Sequence, residues 1–206
     1  TSYLDLVKMG VLAPLMLKRV RVELTPDESF KYGRVEADEE LDELRRTNEL
    51  MSIALKAERK LQALKRIVRE EPGKILVFCQ YVEQARAAYE AVREVEPRCA
   101  LVTGSTAKGR RLRAFEKFRT GEIRVLVTTT VLDEGVDVPD ADVAVILSGS
   151  GQVRQMVQRV GRVLRWAPGK VAKVYEIVAR NTLEEALSKS RSIYKFFDYR
   201  EVRAAL

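Results

Sequence analysis

Histidine is absent from the 206 residues, which removes the commonest general base and a common metal ligand together. Ser/His/Asp and Cys/His nucleophilic arrangements are excluded with it. Cysteine is scarce. Cys79 and Cys99 both lie in apolar runs and no CxxC or Cys/His cluster occurs, so buried structural thiols are expected rather than a disulfide or a metal site. No apolar stretch approaches the roughly 18 residues of a membrane span, and no signal-peptide pattern opens the chain. The expectation is a cytoplasmic protein without membrane contact. A phosphate-binding loop is missing too. Gly104 to Arg111 has the glycine spacing of G-x-x-x-x-G-K-[ST], but Arg110 and Arg111 stand where a lysine and a magnesium-binding hydroxyl are needed. No Asp-Glu pair follows a strand in the way that holds magnesium. The chain is not expected to hold a nucleoside triphosphate by itself.

What is present points to one or at most two globular domains, with 46% hydrophobic residues for a core. A formal net charge of +7 and a pI near 9.5 favour a polyanionic partner, nucleic acid first. Thr1 to Leu17 reads as a short helix and a connecting loop, broken at Gly10 and Pro14. Lys18 to Leu24 alternates basic and apolar residues and predicts a half-buried strand at an edge. Thr25-Pro26-Asp27-Glu28 is a capping-box start. From Asp38 to Val68 the apolar residues keep a helical period, as one long helix or two with a break near Thr47-Asn48. The acids from Glu36 to Glu43 fit a helix N-terminus better than a metal site.

After Pro72-Gly73 short apolar strands alternate with helices. Strands are predicted at Ile75 to Cys79, Ala100 to Val102, Arg124 to Thr128, Val143 to Leu147 and Val171 to Val178. Helices are predicted at Val82 to Val95, Ala107 to Thr120 and Gln152 to Arg165, with a last one capped at Thr182 and running toward Tyr199. This is the pattern of an α/β fold with a parallel sheet buried on both faces. Ligands of such sheets sit at the carboxyl ends of the strands. The residues there are Gln80 and Tyr81, then Thr103, Gly104 and Ser105, then Thr128 to Thr130, then Ser148 to Ser150. Hydroxyls, glycine and free amides in those places suit a sugar-phosphate backbone held without reading its bases. They also suit ordinary loops.

Two further blocks carry chemistry. Leu132 to Pro139 is an acidic turn in which Asp137, beside Gly135, can accept from a ribose hydroxyl. In the helix from Gln152 to Arg165, Val153, Met156, Val157, Val160, Val163 and Leu164 form an apolar stripe, and Gln155, Gln158, Arg162 and Arg165 form a second stripe. Arg suits a forked grip on phosphate. Gly161 sits mid-helix at a cost of roughly 1 kcal/mol relative to Ala, as though something approaches the backbone there.

The run V-L-V-T-T-T-V-L-D-E-G-V-D-V-P resembles motif V of superfamily 2 helicases, and Q-M-V-Q-R-V-G-R-V-L-R resembles their motif VI. K-I-L-V-F-C-Q-Y stands in the place of motif IV, and V-T-G-S-T in that of the following nucleic-acid motif. V-L-D-E-G-V-D-V-P-D-A-D-V, S-G-S-G and Q-R-V-G-R-V-L-R are closest to archaeal XPB-like DNA helicases. The resemblance runs from Lys18 to Arg191 and is dense from Gly73 onward. It implies a RecA-like C-terminal lobe, a parallel sheet flanked by helices with a small helical insertion near the N-terminus. Residues 1–17 would be a linker from an N-terminal lobe, 18–191 the lobe, with 32–59 a thumb-like insertion, and 192–206 a C-terminal helix or tail.

Residue by residue, the resemblance implies a DNA-backbone role for Thr129, with Gln80, Thr103, Gly104 and Ser105 beside it. Gly135, Asp137 and Gln158 would contact the nucleotide, and Arg162 and Arg165 would be arginine fingers. The implied cofactors are ATP and Mg2+, held mainly by an N-terminal lobe outside this chain. The implied partners are DNA, that lobe, and a nuclease or a transcription or repair complex. By this reading the chain alone is inactive. Two alternatives stay open on the residues: a non-catalytic RecA-like module that binds DNA or docks a protein, and an RNA-directed superfamily 2 motor.

Overall fold

The computed structural model describes residues 15–129, 141–148 and 171–190. Its strands are β1 (Leu15–Val22), β2 (Ile75–Phe78), β3 (Cys99–Val102), β4 (Val125–Thr128), β5 (Val143–Ile146) and β6 (Ala172–Ala179). They form one sheet in the order β1-β6-β5-β2-β4-β3, with every pairing parallel. The described helices are α1 (Pro26–Ala37), α2 (Glu43–Leu55), α3 (Glu58–Glu70), α4 (Val82–Arg93), α5 (Lys108–Thr120) and α6 (Leu183–Ser190). The inner strands β2, β4 and β5 read I-L-V-F, V-L-V-T and V-A-V-I, and every residue in them is buried. Continuous apolar runs of this kind belong to strands covered by helices on both faces. Leu64, Ile67 and Val68 of α3 and Ala85, Ala88 and Val92 of α4 supply one such cover over Ile75, Val77 and Val145.

The N-terminal region differs from its sequence reading in boundaries. The edge strand starts at Leu15 and ends at Val22, because it pairs along its whole length with β6, from Leu15 opposite Ala172 to Val22 opposite Ala179. Residues 15–17 therefore belong to a strand; the helix and loop expected before them lie outside the described residues. The capping box at Thr25 is present, with Glu28 N–H donating to Thr25 Oγ1 at 3.3 Å and Thr25 N–H donating to Glu28 Oε2 at 2.8 Å. The other oxygen of that carboxylate accepts Glu58 N–H at 2.9 Å, so one glutamate caps both α1 and α3. This explains why the long helical stretch breaks at Lys56-Ala57 and not at Thr47-Asn48. The carbonyl of Leu55 is taken by Gln84 Nε2 at 2.7 Å, and the next helix starts where Glu28 meets it. Asp42 caps α2 through Arg45 N–H at 2.9 Å, the helix-end role expected of that acidic run.

Helix α6 begins differently from the expected cap. Thr182 Oγ1 donates to Ala179 O at 2.7 Å, and Glu185 accepts from Asn181 N–H at 2.9 Å, with Asn181 in the left-handed region at φ 56°. The acid reaches one residue further back than a capping box would. Beyond Ser190 the expected run toward Tyr199 lies outside the described residues.

At the amino ends of the strands, Arg124 ties three segments together. Its guanidinium donates to Val68 O at 2.8 Å, Glu71 O at 2.7 Å and Gly73 O at 3.3 Å, and pairs with the Glu96 carboxylate, which Arg98 also contacts at 3.2 Å. Gly73 must be glycine for a steric reason: a Cβ there would lie 2.7 Å from Cβ of Asp142, whose carboxylate accepts Lys74 N–H at 2.8 Å. Burial alone pushes the Glu96 carboxyl up, but the hydrogen bonds from Arg124 and Arg98 outweigh it and bring its pKa down to about 2. A carboxyl depressed on folding stabilises the fold above its unfolded pKa and loses that contribution as pH falls toward the folded value. Glu96→Gln is therefore expected to cost about 1–2 kcal/mol at neutral pH, allowing for solvent screening. In urea titrations the gap to wild type should be full above a pH of about 4.5 and close as pH approaches about 2. A gap that stays constant across that window would refute the role.

Candidate functional site

Parallel register brings four strand ends into one row. The ladder continues past the strands: Leu147 N–H donates to Phe78 O at 3.0 Å, Cys79 N–H to Thr128 O at 2.9 Å, and Thr129 N–H to Val102 O at 3.2 Å. Residues 147–148, 79–81, 128–129 and 103–105 are thus neighbours along the carboxyl edge of β5, β2, β4 and β3. Every strand-end residue named from the sequence that lies among the described residues belongs to this row.

Within the row the side chains divide into two kinds. Ser148 is buried, accepts Gln80 N–H at 2.7 Å and donates to Gln84 Oε1. Gln84, buried as well, passes the chain on to Leu55 O. Thr128 Oγ1 turns back onto Thr129 O at 3.0 Å. These groups hold loops in place. Thr103 is buried, and its turn is closed by Thr103 N–H to Thr106 Oγ1 at 2.9 Å, Thr106 N–H to Thr103 O at 3.0 Å, and a Thr103–Ser105 hydroxyl contact of 2.9 Å. Thr129 is buried too. Gly104 and Ser105 are exposed, and Gln80 is half-buried with its backbone pinned. Gly104 and Ser105 thus face solvent and Gln80 does so in part, whereas Thr103 and Thr129 are enclosed. The loop with P-loop glycine spacing is this same turn, and Arg111 Nη2 folds back onto Thr106 O at 3.3 Å. Gly135, Asp137, Gln158, Arg162 and Arg165 lie outside the described residues.

Beneath the row sits a charge pair that sequence reasoning missed. Lys60, 1% exposed, donates to Glu184 Oε1 at 2.5 Å and to Leu147 O at 3.1 Å, and Glu184 Oε2 accepts Ala179 N–H at 2.9 Å. Four elements, α3, β5, β6 and α6, meet at these two side chains. Burial pushes the Lys60 amine down and the Glu184 carboxyl up, each against the pull of its partner. Close by, Glu176 accepts Arg19 Nε at 2.9 Å and Ser188 Oγ at 2.7 Å. The signal for Lys60 was in the sequence, since it occupies the stripe position four residues before Leu64 and seven before Ile67. Among the described residues no group of His, Cys, Asp or Glu could hold a metal ion, and no described helix is long and apolar enough to cross a membrane.

The model of the helicase conserved C-terminal domain matches residues 59–167, more than half of the chain and the whole stretch from Lys60 through the arginine candidates. The chain belongs to that family. It is 39% identical over 145 residues to the DNA 3'-5' translocase XPB2 of Sulfurisphaera tokodaii, covering 70% of this chain and 32% of that protein. It is 33% identical over 190 residues to the DNA 3'-5' helicase XPB of Kineococcus radiotolerans, covering 91% of this chain and 31% of that protein. The chain thus spans about a third of the length of these relatives. Its fold is that of the crystal structure of a DEAD box protein from Methanococcus jannaschii, with a TM-score of 0.59 at 19% identity over 85% of this chain and 39% of that one. This helicase domain is a superfamily 2 C-terminal lobe related to XPB-like helicases, as its motifs imply.

A buried pair stripped of one partner leaves the other charge uncompensated, typically at a cost of about 3–5 kcal/mol. Lys60→Met in this helicase domain is expected to lower stability by about that much. Adding Glu184→Gln, which keeps an acceptor for Ala179 N–H, should recover most of the loss. Urea midpoints of wild type, both singles and the double variant check this; a double variant no better than Lys60→Met would rule out the pair as the cause.

Proposed function

We propose that this lobe is the C-terminal motor half of an ATP-dependent DNA translocase or helicase. Arg162 and Arg165 act as arginine fingers across an interface, and the strand-end row grips the DNA backbone. The observation that carries the reading is the row itself: exposed Gly104 and Ser105 and half-buried Gln80 stand in line at the carboxyl edge of a parallel sheet, where such sheets bind ligands. The relatives' names, a DNA 3'-5' translocase and a DNA 3'-5' helicase, favour DNA as the strand held.

The donor set fits part of a nucleotide. Asp137 beside Gly135 offers an acceptor for ribose, Gln158 an amide, and Arg162 and Arg165 two forks for phosphate oxygens. It does not fit the magnesium, for which the described residues offer no carboxylate cluster and the sequence no P-loop. Those tasks fall to an N-terminal lobe, with the residues before β1 as the connection, the lobe running from β1 to residue 191, 32–59 as a thumb-like insertion and 192–206 as a C-terminal tail. ATP, when bound, supplies a phosphoryl group whose transfer develops charge on its oxygens. The two guanidiniums stabilise that charge, an effect worth about 10³ to 10⁵ in rate for such fingers. They reach the nucleotide only when the lobes close, which couples turnover to movement of the strand-end row.

In a protein that joins this lobe to its P-loop-bearing partner, Arg162→Ala or Arg165→Ala is expected to reduce ATP turnover at least about a hundredfold. The unfolding transition should stay that of wild type. Steady-state ATPase assays with and without DNA test it; near-normal turnover in either variant sinks the finger role.

A further inference from the structure

Tyr81 stands where a helix would not choose it. It is the N-cap residue of α4, in extended backbone, and its side chain makes no capping hydrogen bond. Ser, Thr, Asp or Asn would serve the helix better at that position. The ring is 50% exposed and Val82 beside it 41% exposed. Both border a groove of about 520 Å³ between α2 and the head of α4. That volume lies within the range of about 300–1,000 Å³ usual for small-ligand pockets. The lining has two characters. Met51, Leu55 and Tyr81 supply apolar surface, whereas Asn48, Ser52, Lys56 and Glu83 supply polar groups.

We infer that this groove seats one unpaired base of a single-stranded nucleic acid, stacked on the Tyr81 ring. A base has two apolar faces and a polar edge, matching an exposed aromatic ring with hydrogen-bonding groups around it. The groove is also continuous with the strand-end row. Tyr81 follows Gln80 directly, and the Gln80 N–H is fixed to Ser148 Oγ at 2.7 Å, so the main chain next to the ring is tied to the strand-end row. Gln84 anchors the other wall, bonded to Leu55 O of α2 and to Ser148 at once. A strand lying along the row can turn one base into the groove without moving its phosphates. Lys56, at the rim, is held only by an exposed 3.2 Å pair with Glu83, a weak contact that a phosphate can replace. The inference rests on the backbone-gripping reading above and adds to it a stacking platform that tolerates any base.

The test uses the 206-residue chain at low salt, with fluorescence anisotropy on a thymidine oligonucleotide and on an abasic strand of equal length and charge. Wild type is expected to bind the thymidine strand about tenfold more tightly than the abasic one, the scale of one aromatic–base stack. Tyr81→Ala should abolish that difference with abasic binding unchanged, and Tyr81→Phe should keep it. A thymidine strand carrying photoactivatable 5-iodouracil should crosslink to Tyr81. If wild type binds both strands equally and no crosslink maps to Tyr81, the base seat is overturned and the backbone reading stands. If neither strand binds, both fall together.

Discussion

Lys60 and Glu184 are two charges that water would solvate far better than protein does, and the arrangement around them is what makes their burial tolerable. Each is nearly fully enclosed, each faces the other at 2.5 Å, and each makes one further hydrogen bond to main chain, Lys60 to Leu147 O and Glu184 to Ala179 N–H. A buried pair is weak evidence of stability for its own sake, because desolvation offsets the attraction. Its effect here is positional. The two main-chain partners are the carboxyl ends of β5 and β6, and the side chains come from α3 and α6. The end of β5 is thereby fixed relative to a helix on the sheet's face, one residue before Ser148 extends the network to β2 and α2. An apolar pair of the same volume would fill the space but would bond neither carbonyl nor amide.

The two ends of the sheet are built for different purposes. At the amino ends, Arg124 makes three carbonyl contacts and an ion pair with Glu96, and the cluster closes the C-terminal end of α3 and the turn at Gly73. At the carboxyl ends, the same kinds of bond hold loops whose tips face solvent. The Arg124 guanidinium is used inward at one end, and Gly104 and Ser105 are left facing solvent at the other, the edge at which parallel sheets of this class bind ligands. The chain's formal charge of +7 is consistent with the proposed polyanion there.

Much of the fold was legible because strand burial and helix period leave strong traces. I-L-V-F, V-L-V-T and V-A-V-I could only be interior strands once they alternated with amphipathic helices, and each was found within a residue of its expected bounds. Boundaries set by tertiary contact were not legible. The break at Lys56-Ala57 depends on Glu28 and Gln84, which lie about thirty residues away on either side and leave no local signal. The start of β1 depends on pairing with β6, more than a hundred residues later. Lys60 was hidden for another reason: a lysine on an amphipathic helix is nearly always solvated, and only its place on the apolar stripe marked it as different.

The strand-end residues show where residue type stops being informative. Ser148, Thr128, Thr103 and Ser105 are all small hydroxyls at or just beyond the end of a parallel strand, and residue type alone does not separate them. What separates them is whether their hydrogen-bonding capacity is already used. Ser148 accepts from Gln80 and donates its only proton to Gln84 in a buried setting, so it has no donor left for a ligand, whereas Ser105 is exposed with a hydroxyl contact to Thr103. A hydroxyl with both functions satisfied fixes a loop, and one with a function left facing solvent can hold a phosphate. By that criterion the row is a graded structure, rigid at its β5 and β2 end and open at its β3 end. The nucleic-acid strand proposed for it would meet its firmest geometric constraint near Gln80 and Tyr81, and its freest hydrogen-bonding partners at Gly104 and Ser105.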